Sequence, residues 1–396
     1  MKSVLIIGGG ASGAAAAITL ARLQSDLSIT ILEKNERILK KLLTTGNGKC
    51  NITNTAVSPA VYESAFAQSV AARFDFESVQ AFLTSLSLPI KADPQGRCYP
   101  LSESAANAVN AFLNALESYS VTVKTGQEVR AIKKEGKRFV VTAAEVFEAD
   151  AVIFAIGSAA AVKGYNGLDL MHNLGWHIER PRPALCPIPS DEAFLKELQG
   201  VRVKAALTLG EHRESGEVQL NADNISGICA FNLAKYVKSG DTLLLNFLPA
   251  QWSEAELLHY LKASAATAPE NAALLNFLLP RKLALVVLKR AGLKPSASPA
   301  TLSDDDFTVL AKLLGAFPVR VEAPTDYRRA QTVCGGLDAR FVAPDTLAAK
   351  AYPGLFVCGE VLDADAPCGG FNLHWAWASG MCAARAANAY LTGETL

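Results

Sequence analysis

The chain has 396 residues, half of them apolar and 19% charged, with lysine plus arginine equal to aspartate plus glutamate at 38 each. That length exceeds one simple core, so two or three domains are expected. The neutral balance speaks against a basic footprint for nucleic acid, and the absence of any run of 18 apolar residues speaks against a membrane span.

The first residues, Met1-Lys2 followed by apolar residues and alanines, have the outline of a secretory leader. Three glycines at 8–10 would break its helix, however, and Glu33-Lys34 closes a second strand instead, so a cytoplasmic chain is expected. Residues 3–7 form an all-apolar strand, 11–23 an alanine-rich helix and 27–32 a second strand, a compact βαβ unit. Between the first strand and the helix lies Gly8-x-Gly10-x-x-Gly13, with Ser12 inside it, and Glu33 follows 20 residues beyond Gly13. Glycines there permit a tight turn and close backbone approach, so a pyrophosphate can sit on the positive end of the helix. Glu33 can accept hydrogen bonds from both hydroxyls of a ribose, which disfavours a 2′-phosphate. Lys34 and Lys41, just beyond, join the expected cofactor-binding set.

Residues 40–54 are rich in glycine, asparagine and threonine and read as a loop full of backbone donors. Helical spacing marks 78–86 and 103–116, and strands are expected at 121–123, 129–133, 139–142 and 151–155. The last of these ends in Ala155-Ile156-Gly157-Ser158, a strand-to-turn that can return to the cofactor. A proline-punctuated crossing at 181–189 marks a domain boundary. Beyond it Val201, Val203, Ala205, Leu207 and Leu209 alternate with mostly polar residues, as in a half-buried antiparallel strand, and 218–220 and 242–247 continue the pattern. From 253 to 316 the chain is mostly helical, with Ser253/Glu256 as a capping box, Gly292 closing a helix over 281–291, and Ser303/Asp306 opening another. From Tyr327 it rejoins the first domain. The expected division is 1–183, 184–252, 253–318 and 319–396.

None of the eight cysteines has C-x-x-C spacing and no Cys/His set reads as a zinc site, so reduced, buried thiols and no metal are expected. The C-terminal region is more telling. Leu355-Phe356-Val357-Cys358-Gly359-Glu360 is an apolar strand ending on Gly-Glu, and Cys368-Gly369-Gly370-Phe371-Asn372 is a glycine-rich turn opening a helix. Glu360 can accept from a ribityl hydroxyl. The helix near Asn372 would aim N–H groups at a flavin pyrimidine edge, where the reduced ring gathers charge. Two such turns at opposite ends of the chain point to one FAD held by both.

Residues 44–54, the Gly96-Arg97-Cys98-Tyr99-Pro100 turn, Ala184-Leu185-Cys186-Pro187 and 354–380 together resemble the BaiN-type, aminoacetone oxidase-like FAD-binding flavoproteins, over nearly the whole chain. The resemblance implies an α/β fold: a Rossmann-like FAD domain with two dinucleotide-binding motifs, interrupted by a β-barrel-like domain and a helical insertion. It also implies that Thr45, Gly46, Asn47, Gly48 and Asn51 form a loop near the FAD and that the backbone of Val129 touches the adenine. Where many relatives have Gly-Tyr-Asn-Leu-Gln, this chain has Gly370-Phe371-Asn372-Leu373-His374. Where many have Thr-His-x-Gly-x-Ser-Gly-Pro, it has Asn221-Ala222-Asp223-Asn224-Ile225-Ser226-Gly227-Ile228. Both departures fall where a substrate would touch, so substrate identity does not carry over.

Catalytic candidates are His374 and Asn372. His374 is placed either as a proton donor beside the flavin or as a partner of a backbone group packed against Trp375 and Trp377. Lys49 and Arg97 are placed on FAD phosphates, on a substrate carboxylate, or as structural surface cations. Asp363 and Asp365 either anchor FAD or hold the glycine turn. The expected function is FAD-dependent oxidoreduction of a small organic substrate. With no second G-x-G-x-x-G, NAD(P)H, if it is the donor, would visit the flavin only transiently. The alternatives are an amine oxidase using oxygen, a flavin-dependent RNA-modifying enzyme, and a non-catalytic FAD-binding protein.

Overall fold

The computed structural model describes residues 1–394 apart from 163 and 249–251. It divides into two compact units, Met1–Arg182 with Gln331–Leu396, and Pro183–Ala330.

In the first unit a five-stranded sheet is built from β1 (Ser3–Ile7), β2 (Ser28–Leu32), β3 (Thr122–Lys124), β4 (Ala151–Phe154) and β5 (Leu355–Val357), in the order β5-β4-β1-β2-β3. Every neighbouring pair is parallel; Ile6, for instance, stands between Ile31 and Ile153. Three or four successive apolar residues in each of β1, β4 and β5 are buried, which explains why these strands do not alternate. Because the strands are parallel, their carboxyl ends share one edge, the edge at which open α/β sheets bind ligands. The chain leaves it at Gly8, Glu33, Ala155 and Cys358.

Two helices pack against each other beside this sheet: α1 (Ala11–Leu23) and α2 (Phe371–Thr392). Residues 12–17 of α1, Ser12, Gly13 and four alanines, are all buried, and Ser12 and Ala15 are the ones that lie against α2. Opposite them α2 presents Gly380, where an added Cβ would collide with the carbonyl oxygen of Ser12. Small residues let the backbones come closer than side chains would allow, at the cost of tolerating no enlargement.

Between β3 and β4 runs a three-stranded meander of Ala131–Glu135, Arg138–Thr142 and Val146–Ala149. Its first strand begins two residues later than the sequence suggests, because Val129 and Arg130 form the approach to it. A second small antiparallel sheet joins Thr53–Asn54, Arg97–Pro100 and Ile90–Ala92. The helix expected from 103 starts at Ala105, since the Ser104 hydroxyl accepts from Asn107 N and caps it there. Glu103 therefore lies outside the helix. The crossing at 181–189 is also more ordered than its prolines imply: Ile178–Ala184 pairs with Thr332–Leu337 in a two-stranded ribbon, an edge position that tolerates proline.

The second unit is a six-stranded antiparallel sheet in the order Ile188–Pro189, Asn224–Ser226, His212–Leu220, Val201–Leu209, Thr242–Asn246, Phe317–Arg320. It curls until its outer strands approach: Ser190 Oγ donates to Arg320 O at 2.7 Å and Glu322 N to Pro189 O at 2.9 Å. Helices Glu254–Ala265, Asn271–Leu275, Arg281–Arg290 and Asp304–Gly315 belong to the same unit, and both expected capping boxes are formed. No helix among the described residues is long and apolar enough to cross a membrane.

The α1–α2 contact generates a stability prediction. Gly380→Val is expected to lower the unfolding free energy by about 1–3 kcal/mol through overpacking, seen as a lower denaturant midpoint at unchanged slope. An unshifted midpoint would mean that the helices are not in close contact.

Candidate functional site

At the carboxyl edge, the turn after β1 is shaped first by the protein itself. Gly8 adopts φ +106°, and a Cβ there would collide with Ala155 O. A Cβ on Gly13 would collide with Gly8 O, and one on Gly9 with the side chain of Ile38. Gly10 differs: its backbone is extended, and nothing lies within 4 Å of where a Cβ would be. No internal contact demands a glycine there, and the space before it is open. It lies at the N-terminus of α1, which no side chain caps. Gly157, in the turn after β4, likewise has nothing within 4 Å of its Cβ position. The residues fit a dinucleotide: a helix end with free N–H donors, a glycine cradle and an acid at the end of β2.

That acid, Glu33, is only 8% exposed. It braces the turn, its Oε2 accepting from Gly9 N at 2.9 Å and its Oε1 from Asn35 N at 2.8 Å. Other residues of the expected set also carry internal bonds. Lys34 Nζ donates to Gly164 O at 2.8 Å, and the Val129 carbonyl accepts from Asn166 Nδ2 at 3.0 Å. Tyr165 Oη donates to Gly157 O at 2.9 Å. Lys41 pairs with Glu360 at 2.9 Å, and the other Glu360 oxygen accepts from Val333 N at 3.2 Å. Asp363 accepts from Gly335 N at 2.8 Å, a bond to the ribbon.

The second glycine turn is tied to the 44–54 loop. Residues 40–48 wind in 3-10 turns broken at Thr45, Gly46 and Asn47, where the last two are left-handed. Thr45 Oγ1 donates to Leu42 O at 2.7 Å, and Gly48 sits at φ +83° with open space beside it. Gly370, at φ +99°, passes so close to Thr53 O that a Cβ would overlap it. With its amide oxygen and nitrogen assigned from the surrounding donors and acceptors, Asn51 accepts from Gly370 N at 3.1 Å and donates to Thr53 O and Cys98 O at 3.2 and 3.3 Å. Asn54 Nδ2 donates to Gly369 O at 2.8 Å, and Tyr62 Oη to Phe371 O at 2.9 Å. Asn372 bonds both the amide and the carbonyl of Ala366, at 3.0 and 2.8 Å. Trp375 Nε1 donates to Gly359 O and Trp377 Nε1 to Ile52 O, at 3.0 and 2.9 Å. Ser379 Oγ accepts from Gly359 N at 3.0 Å. The N-terminus of α2, with no side-chain cap, thus opens at a turn fixed from several sides.

His374 has no exposed surface. Its Nε2 lies 2.8 Å from Phe74 O, an oxygen that can only accept, so Nε2 carries the proton. Nδ1 then accepts from Thr53 Oγ1 at 2.8 Å. Burial lowers its pKa to about 4, and the ring is neutral at pH 7. Both nitrogens being engaged, the proton-donor expectation for His374 meets a geometry that fits the backbone-partner alternative; Asn372, bonded to Ala366, likewise orients the turn. Thr53, Asn54, Tyr62 and Ser379 were not singled out from sequence. The polar run Asn51-Ile52-Thr53-Asn54 was the available signal for two of them, whereas nothing local marks Tyr62 or Ser379.

Burial pushes the thiol of Cys50 up to about 12, Cys98 to about 11 and Cys358 to about 12, so these three are protonated at neutral pH. His177, Glu179 and Asp338 could converge on an ion, but they are mostly exposed and the Arg340 guanidinium already pairs with Asp338 at 2.9 Å.

A parallel sheet whose carboxyl edge gathers two uncapped helix N-termini and an acid after the second strand defines a Rossmann-type dinucleotide-binding protein. The chain belongs to the family described as HI0933-like protein Rossmann domain, whose model matches residues 2–386. It is 34% identical to a 3-dehydro-bile acid delta(4,6)-reductase of Clostridium scindens, across 98% of this chain and 99% of that protein. It is 26% identical to a ribosomal RNA dihydrouridine synthase of Escherichia coli, across 96% of each. Among solved structures, the quinol fumarate reductase of E. coli matches at a TM-score of 0.52 and 14% identity, over 100% of this chain and 72% of that one. A 3-ketosteroid-delta4-(5alpha)-dehydrogenase of Rhodococcus jostii matches at 0.51 and 15%, over 98% and 97%. These likenesses bear on the fold.

The neutral His374 makes a pH prediction. Its folded pKa, about 4, lies below the ordinary 6.5, so its contribution is complete above pH 6.5 and is lost as pH falls toward 4. The loss amounts to about 3 kcal/mol at the low end. In His374→Gln this part of the pH dependence of denaturant unfolding should vanish. Parallel wild-type and variant curves between pH 6.5 and 4 would contradict a buried neutral imidazole.

Proposed function

We propose that this chain is an FAD-dependent reductase that saturates a carbon–carbon double bond conjugated to a carbonyl in a small, steroid-sized substrate. The observation that carries the reading is the 34% identity to the bile acid delta(4,6)-reductase over essentially the full length of both chains. The Escherichia coli relative, by its name, also adds two hydrogens to an unsaturated ring, so the two names share one class of reaction although their substrates differ.

Bound FAD would supply two-electron hydride chemistry. The protein's part is to hold and orient. The Gly8–Gly13 turn and the α1 N-terminus would take the pyrophosphate, with Gly10 leaving the room, while Ser12 supports the turn beside Gly359. Glu33 would take the adenosine ribose, Val129 would line the adenine, and Lys34, Ala155 and Gly157 would flank the dinucleotide. Gly359 and Glu360, with Lys41 as its ion-pair partner, would meet the ribityl chain. The Thr45–Asn51 loop and Gly370, Phe371 and Asn372 would frame the ring's pyrimidine edge, where the positive end of α2 favours added electron density. A neutral His374 leaves that end of the helix to the backbone dipoles and, through Thr53, fixes the loop that would frame the ring. NAD(P)H is proposed as the donor. In the net reaction its hydride and a proton add across the double bond, and the nicotinamide is oxidised.

The test is anaerobic mixing of the yellow holoprotein with NADH or NADPH, then with a 3-oxo-4,6-diene steroid. Bleaching by the nicotinamide, recovery of colour on adding the steroid and a product heavier by two hydrogens are expected. Recovery with unmodified ribosomal RNA and dihydrouridine in the digest, with no steroid turnover, would favour the RNA reading. Persistence of colour with either nicotinamide would sink the proposed donor.

The cradle has its own test. Nothing lies within 4 Å of a Cβ at Gly10, so the thermal unfolding of Gly10→Ala as apoprotein should match wild type, whereas its retention of FAD should drop at least tenfold. Undiminished retention would show that the space before Gly10 is not used by the cofactor.

A further inference from the structure

The small sheet of the first unit carries a feature that the cofactor cradle does not use. Along Arg97–Pro100 the residues alternate: Cys98 and Pro100 are buried, while Arg97 and Tyr99 turn the other way. They line a cavity of about 240 Å³ together with Lys49, Lys91, Asp93 and Glu103. That is less than a whole ligand of drug size requires, and enough for one end of it. Lys91 stands opposite Tyr99 in the strand register, and Lys49 is two residues from Asn51, which holds Gly370. The cavity therefore adjoins the α2 turn from which the substrate would be reduced.

Its charges are arranged unusually. Glu103 lies between two ammonium groups, 2.6 Å from Lys49 and 2.7 Å from Lys91, and hydrogen bonds from the two lysines hold its carboxyl at about 2. Arg97 pairs through Nε with Asp93 at 2.7 Å. Three cations thus meet two carboxylates. Glu103 reaches its place through a left-handed backbone, φ +49°, which a non-glycine residue adopts at some cost. It is a half-exposed carboxylate from the end of a turn, seated where two lysines converge on the cavity.

We propose that this cavity is a carboxylate subsite, in which Lys49, Lys91 and Arg97 receive the carboxylate of the substrate, Tyr99 donates a further hydrogen bond, and Glu103 occupies the place until it is displaced. Exchange of one carboxylate for another leaves the local charge unchanged, and the displaced Glu103 is free to turn to solvent. The proposal rests on the reading of the chain as a small-molecule reductase and adds that the substrate is an organic acid bound by an end remote from the reacting bond.

The experiment has two arms on the holoprotein. In the first, benzoate and its uncharged analogue benzamide are titrated by ligand-observed NMR into wild type, Lys49→Met/Lys91→Met, Lys49→Arg/Lys91→Arg and Glu103→Gln. Benzoate should bind at least fivefold tighter than benzamide to wild type; the methionine pair should abolish that preference and the arginine pair restore it. Glu103→Gln should tighten benzoate severalfold, because a neutral amide competes less for the lysines, an effect that a purely structural Glu103 would not produce. Equal binding of the two probes to wild type, or a preference unaffected by the methionine pair, overturns the subsite. In the second arm the steroid acid and its methyl ester are compared as acceptors, and a lower KM for the acid at similar kcat is expected. Selective benzoate binding without reduction of either steroid would leave the subsite standing and refute the reductase reading; reduction of both steroids with equal KM and no benzoate preference would do the reverse.

Discussion

The constraint on which the rest depends is the parallel pairing of three segments far apart in the chain. Residues 3–7, 151–154 and 355–357 lie side by side, running the same way. Parallel strands cannot be joined by hairpins, so each return must cross over through other structure, which here includes the meander and the whole second unit. In exchange, the exits of the strands share one edge, and the turns that carry the glycines and acids meet there although up to 350 residues separate them. Apolar burial on both faces makes the arrangement cooperative, because a slipped strand would expose residues that nothing else covers.

Around that edge, rigidity comes from buried polar groups satisfied by one another. Loop 50–54 and the start of α2 share bonds through Asn51, Thr53, Asn54, Tyr62 and His374. Each is worth about 1 kcal/mol net, but leaving one partner unpaired costs about 1–3 kcal/mol, so the network specifies a single conformation more strongly than it stabilises the fold. A turn held this way needs little reordering when it meets a ligand, which is how the surroundings of a cofactor gain affinity without new contacts.

The electrostatics follow a different rule. The chain is neutral overall, yet beside the small sheet three cations and two carboxylates line one cavity. Exposed ion pairs add little stability. The arrangement of Glu103 between two lysines therefore speaks more to recognition than to folding.

The sequence by itself determined the Rossmann core and its edge. Strand apolarity, glycine spacing, the acid after the second strand and the capping serines are local properties, and local physics acts on them directly. It also marked the loop 44–54 and the turn at 368–372, because glycine and asparagine report backbone geometry. Tertiary structure alone decided what the side chains there do. Whether His374 faces a ligand or Phe74 O depends on a carbonyl 300 residues away, and Tyr62 and Ser379 enter the site only because distant segments are packed beside them. Glu103 reads as a helical residue until Ser104 caps the helix one position later and the turn carries its carboxylate to Lys49 and Lys91. Backbone preference is encoded within a few residues, whereas the partner of a polar side chain is set by whichever segments the hydrophobic core brings together.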